Sequence, residues 1–422
     1  MRLVMLVVVL SAVGALAQED AGVNAVTLPP VVVAPAPTVL EQVFEIFRPY
    51  ATFKPTVIGS GEGVESFSQP NATAVTAAGN PVLSTLPNEG RLTFQVAQSR
   101  AGFWLNEKGV VRAQLELDFI DFTKASATVA SLPRLRIAKV DWAPTDRFTL
   151  SAGQDWDLHA PVNAHGSNMV GARFLSGNLG FMRQQVKALG RVGDFELAGA
   201  VGLSAPNVNA KDGPVELSAV PTFAVRGAWL VGKGRVGVSG LATSLRLNPG
   251  TPTERRTFAG GATAFADVTF GRTCLRGELS IGQNMANLGL LSLGFGGPKD
   301  VGEWGGFVSV RHGITDMHFV YATLGAMHVL DRAAVRPSYS YASMPVEGLP
   351  VMSSAALAGT GPGILHNMGA TLGYELRINK NLGFLLEGFV LQTEHQLTDF
   401  DAGRTARVRE AFGGELAAMV TF

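Results

Sequence analysis

After Ala17, no stretch of the chain approaches ~18 uninterrupted apolar residues, so no helix of the mature sequence can cross a bilayer. Yet 46% of the 422 residues are hydrophobic and 16% are charged, whereas soluble domains carry roughly 25% charge. The apolar content must therefore lie in short pieces, and the pieces alternate. Val111, Ala113, Leu115, Leu117 and Phe119 are separated by Arg112, Gln114, Glu116 and Asp118. Phe148, Leu150, Ala152 and Trp156 oppose Arg147, Thr149, Ser151, Gly153, Asp155 and Asp157. Leu275, Leu279 and Ile281 oppose Arg276, Glu278 and Ser280 in the same way. This is the two-residue period of strands with one apolar and one polar face. A soluble sandwich and a membrane barrel both satisfy it.

Connection lengths separate the two. About sixteen strand segments fit between Ile46 and Phe422, an even number as bacterial barrels require. Tight turns are expected at residues 106–109, 144–145, 190–192, 232–234, 271–272 and 379–381. Between them fall long loops at 59–90, 158–178, 204–220, 285–302 and 331–365. Short turns on one side and long loops on the other are the outer-membrane pattern, with short turns periplasmic. The expected fold is thus an all-β transmembrane antiparallel barrel of about 16 strands, with both termini periplasmic. Phe422, Val420, Ala418, Leu416 and Gly414 give the last strand an apolar or small face ending on an aromatic residue. Phe422 is accordingly read as a sorting signal, presented to the barrel-assembly machinery through the C-terminal strand. Trp104, Trp142, Trp156, Trp229, Trp304 and Phe412 suit interfacial girdles.

The N-terminus fits export. Arg2, the apolar run Leu3 to Val13 and Ala15-Leu16-Ala17 make a signal peptide over residues 1–17, with cleavage before Gln18. Residues 18–43, with Pro29, Pro30, Pro35 and Pro37, read as an extended periplasmic linker, and residues 44–422 as the barrel. The place implied is the outer membrane of a Gram-negative bacterium, in contact with its lipid. Thirty-four Lys and Arg balance thirty-four Asp and Glu, so no net field draws nucleic acid. A single cysteine, Cys274, excludes an internal disulfide framework and a Cys-rich zinc site, and reads as a small strand residue.

In hydrocarbon, strands span only as a closed barrel, and at sixteen strands an aqueous channel remains. Gln98-Ser99-Arg100, the run Val111 to Phe119, Leu132 to Arg136 with Ala138, and Gly153-Gln154-Asp155-Trp156 succeed one another in that order. Over roughly residues 91–187 this resembles the DcaP-like outer-membrane porins, whose SR, E-x-D-F, RLR-x-A and GQ-x-W segments have similar order and spacing. The resemblance implies a trimeric sixteen-stranded channel for small, often dicarboxylate-like anions. The helical coiled-coil segment common at the start of that family has no counterpart in Gln18 to Gln42.

Arg134 and Arg136 share a strand face, as do Arg183, Gln185 and Lys187. An arginine on the lipid face near mid-bilayer costs ~2–4 kcal/mol, which points them into the lumen. With Arg100 and Arg112 they could form a basic ladder that replaces part of an anion's hydration. Alternatively they pair with Glu116, Asp118, Asp155 and Asp157 and organise a hydrated wall. The loop 158–178 carries His159, His165, Asn168 and Arg173, and either folds inward as a constriction or stays outside. His159 and His165 with Asp157 specify no metal geometry, and no cofactor is implied. The rival functions are a loop-plugged structural or adhesive barrel and a barrel hydrolase. For the hydrolase no G-x-S-x-G elbow exists to position a nucleophile.

Overall fold

The computed structural model describes residues 43, 45–61, 74–75, 81–82, 90–119, 133–167, 177, 180, 182–203, 220–247, 252, 254–285, 299–335, 338–339, 364–398 and 406–422. The barrel lies within the compact unit Phe44–Phe422. Its strands are β1 (Phe47–Phe53 and Thr56–Ser60), β2 (Arg91–Gln95 and Arg100–Leu105), β3 (Val111–Asp118), β4 (Arg134–Thr145), β5 (Phe148–Trp156), β6 (Met182–Val192), β7 (Phe195–Gly202) and β8 (Thr222–Val231). They continue as β9 (Gly234–Leu247), β10 (Arg255–Phe270), β11 (Thr273–Gln283), β12 (Gly302–Gly313), β13 (His318–Val329), β14 (Ile364–Arg377), β15 (Leu382–Thr398) and β16 (Ala406–Thr421). Each pairs antiparallel with the next. The sixteen close on themselves where β16 meets β1, from Thr52↔Thr421 to Ser60↔Gly413.

The wall is inverted relative to a water-soluble protein. On β3 the odd residues point outward, with Val111 53% exposed, while Glu116 and Asp118 are buried within. The same split runs round the barrel: Phe94, Leu197 and Leu372 are among the most exposed side chains, and Glu196, Arg226, Ser309 and Glu375 are buried. Such a surface is stable only when hydrocarbon replaces water outside. Aromatic pairs gather at the end with the short turns. Phe47 lies 5.2 Å from Phe103, Trp142 stands edge-on to Phe148 at 6.2 Å, and Phe195 stacks on Trp229 at 6.1 Å. Trp104 departs from the girdle expectation: its ring lies 5.7 Å from the Lys139 ammonium, on the inner face.

Three local features differ from the sequence reading. The turn expected at 190–192 falls later, because β6 runs through Val192 and Gly193 takes the left-handed turn conformation at φ 59°. β1 is interrupted at Lys54-Pro55, where proline has no N–H to give to the ladder. β2 is interrupted opposite it, at residues 96–99, where the Ser99 N–H closes a turn on the Val96 carbonyl at 2.9 Å. β9 and β10 alternate weakly in sequence because their outward positions include Gly240, Ala242, Ala262 and Ala264, whereas Leu241, Leu245 and Phe265 point inward.

Candidate functional site

The expected ladder residues share the inner face of β2 to β6, and most of them are paired. Arg134 grips Asp118 with two nearly parallel hydrogen bonds, Nε at 2.9 Å and Nη2 at 2.6 Å. Arg136 bonds Glu116 and lies 3.5 Å from Asp118. Arg134 and Arg136 share the inner face by strand alternation, with Leu135 between them pointing out. The register shift between β3 and β4 at Glu116/Leu117 changes the phase after Arg136, so that Lys139 and Asp141 face inward too. Lys187 bonds Asp155 at 2.6 Å, Arg183 bonds Asp157 at 2.6 Å, and Arg112 reaches Asp141 at 3.3 Å. Gln185 caps the carbonyls of Asp155 and Trp156 at 3.1 and 2.8 Å. Arg100 stands opposite Asp118 in register, yet its buried Nε meets no hydrogen-bond partner among the described residues. Arg173 and Asn168 lie outside the described residues.

Several members of this lattice were not singled out from sequence. Lys139 bridges Asp141 and Asp155 at 3.5 and 3.2 Å. Tyr50 donates to Glu116 at 3.1 Å and accepts from Gln114 at 2.8 Å. Glu196 gathers Arg226, Arg191 and Arg235 at 2.8, 3.1 and 3.8 Å. Position two along the strand from an identified inward residue was the available signal. It reaches Arg191 by steps of two from Lys187, with Glu196 directly across the strand pair, but it misses Lys139, which the phase change after Arg136 turns inward.

The loop after β5 turns inward and follows the opposite half of the wall. Leu158 and Ala160 pack on Ala198, Ala200, Ala224, Leu241, Leu245 and Ala259, positions where small or aliphatic residues replace charge. Val162 packs against Ala228, Phe265 and Phe307. Burying Leu158 and Val162 contributes roughly 1.5–3 kcal/mol each. The loop backbone is held by wall side chains. Val162 N–H donates to Glu278 at 2.7 Å, His165 N–H to Ser309 at 2.9 Å, and Ser167 N–H to Glu387 at 2.6 Å. Arg235, Arg276 and Thr323 donate to the carbonyls of Pro161, Asn163 and His165 at 3.3, 3.3 and 2.9 Å. The inward alternative of the sequence reading is therefore the observed course over residues 157–167.

The His159 ring meets Thr263 Oγ1 at 3.2 Å. Burial pushes its pKa down to about 4, against the opposing pull of Asp157, so the ring is neutral at physiological pH. With Asp157 engaged by Arg183, these residues do not assemble a chelate, and among the described residues no group of three or more His, Cys, Asp or Glu could hold a metal ion.

No protein-family model matches the chain, and no curated protein sequence does. Solved structures match across most of its length. The outer membrane channel DcaP of Acinetobacter baumannii superposes with a TM-score of 0.62 at 13% identity, covering 89% of this chain and 97% of that one. OprB of Pseudomonas putida gives 0.54 at 10% identity, covering 91% and 96%. OmpF of Salmonella typhi, in complex with daunomycin, gives 0.53 at 8% identity, covering 89% and 97%. The fold resemblance anticipated from residues 91–187 therefore extends over the whole barrel. The molecule has the closed sixteen-stranded architecture of outer-membrane channels.

Proposed function

We propose that this chain is a porin of a Gram-negative outer membrane, a passive and non-enzymatic diffusion channel that prefers small anions, dicarboxylates among them, and works as a homotrimer. The observation that carries the anion preference is an imbalance between the two halves of the wall. Along the arc from β2 to β9, among the described residues, Arg100, Arg112, Arg134, Arg136, Lys139, Arg183, Lys187, Arg191, Arg226 and Arg235 outnumber Glu116, Asp118, Asp141, Asp155, Asp157 and Glu196. The carboxylates Glu278, Glu387 and Glu415 lie on the other half, under the loop. A low-dielectric wall focuses the resulting field into the passage, where screening is incomplete. Pairing lowers the field of each cation without cancelling the excess.

A planar bilayer holding the purified protein under a salt gradient tests this reading. A zero-current potential of anion-selective sign is expected, and a cation-selective sign would reject the preference while keeping the channel. A second reading, a loop-plugged structural barrel, draws on the apolar cluster under Leu158 and Ala160. Absence of any conductance from heat-modifiable, correctly folded protein would favour it.

A further inference from the structure

At Ser167 the loop reaches the far wall, and there every polar group of one residue is engaged. Its N–H donates to Glu387 at 2.6 Å, its Oγ donates to Glu415 at 2.6 Å, and its carbonyl accepts from the Lys54 ammonium. Lys54 also bonds Gln98 at 2.6 Å and Glu415 at 3.2 Å, and Tyr321 donates to Glu387 at 2.8 Å. None of these six side chains is more than 3% exposed. They come from the interruptions in β1 and β2 and from β13, β15 and β16, so five parts of the wall converge on one loop residue. The interruptions themselves serve the cluster: Lys54 sits beside Pro55, and the turn at 96–99 brings in Gln98 together with Ser99, whose Oγ accepts the Lys54 N–H at 2.9 Å.

A buried ammonium with two carboxylates is a poor way to stabilise a barrel, since an apolar filling of equal volume does as well or better. Its distinctive property is fit to one backbone segment. If the loop end left, Glu387 and Glu415 would lose Ser167 and face each other across one remaining cation, an arrangement like charges disfavour. We propose that Lys54, Glu387 and Glu415 are positioning residues, a latch that holds the loop against the β10 to β16 side and so sets the free cross-section beside the cationic half. This rests on the channel reading. An unlatched loop end would enter the passage intermittently and block it.

Lys54→Met removes the ammonium and keeps the stem. Glu387→Gln keeps an oxygen that accepts the Ser167 N–H, and Glu387→Ala does not. Ser167→Pro deletes that N–H, and with it the hydroxyl that donates to Glu415, from the loop side while leaving every wall residue in place, and so serves if a wall variant misfolds. Each is purified as heat-modifiable full-length barrel, then measured by single-channel recording and by proteinase K cleavage within residues 158–180. Lys54→Met, Glu387→Ala and Ser167→Pro should show frequent closures, a lower mean conductance and gain of cleavage, whereas Glu387→Gln, which keeps the acceptor for Ser167 but removes one of the two like charges, should fall between the parent and Glu387→Ala on both readouts. Folded Lys54→Met and Ser167→Pro proteins with parental conductance and no cleavage would overturn the latch. If the parent itself conducts nothing, the channel reading fails, and the cleavage pattern still decides the latch.

Discussion

A carboxylate partner governs what can be changed at each arginine of the inner wall. Arg136 and Glu116 are both buried, so Arg136→Gln strands a carboxylate and should cost about 3–5 kcal/mol. Arg134 is more open, with 31% of its side chain exposed, so Arg134→Gln should cost less. Thermal dissociation of the folded barrel in detergent measures both. The double variant should also shift the zero-current potential toward cations, and an unchanged potential in a folded double variant would remove these two residues from the selectivity argument. His159 gives a separate pH signature. Its folded pKa of about 4 lies below the ordinary 6.5. Between those values the folded state binds fewer protons than the unfolded one, so stability falls as pH drops. The contribution of the neutral ring is complete above about pH 6.5 and is lost progressively toward pH 4. Replacing His159 by Gln should flatten the dissociation temperature over that window, and an identical slope in both proteins would exclude the ring as its source.

Among the elements, β3 and β5 were readable because one face meets lipid and the other meets charge, so the two-residue period is written in residue type. β9 and β10 were not, since small residues outside and aliphatic residues inside blur that contrast. The inward course of the loop left no local mark. Its partners Glu278, Glu387 and Glu415 lie 116, 220 and 248 residues away in the chain, and they hold backbone and hydroxyl groups rather than complementary charges. The junction of β4 and β5 was equally silent, because Gly153 reads as an ordinary strand glycine. It adopts φ +127°, and a Cβ there would come 2.2 Å from the Ala138 carbonyl oxygen. Gly153→Val should therefore add strain of ~1–3 kcal/mol on top of a clash with backbone that cannot yield. Heat-modifiable protein should be largely lost from this variant. Gly199→Ala on β7, with nothing within 4 Å of the new carbon, should assemble normally.

For the molecule as a whole, the closed ladder predicts resistance to mild detergent. Unheated protein should migrate anomalously and shift on boiling, with a β-rich circular dichroism spectrum, and unchanged mobility would contradict the closure. Phe422 is 75% exposed, and its N–H donates to the Ala51 carbonyl at 2.9 Å, so its removal deletes little buried area. A truncated chain should keep its stability in detergent and yet insert poorly in cells if the residue is a sorting signal. Normal insertion would dismiss that role. The pairing of β16 with β1 also has a consequence for time. The first strand to emerge finds one of its two neighbours only in the last, so hydrogen bonding round the ring cannot finish until the whole chain has been delivered. Until then the outward apolar faces stand in water with an open edge at each end, the state most prone to aggregate. Assembly of this protein is therefore a race between closure and aggregation in which closure can come only after the last strand has been delivered.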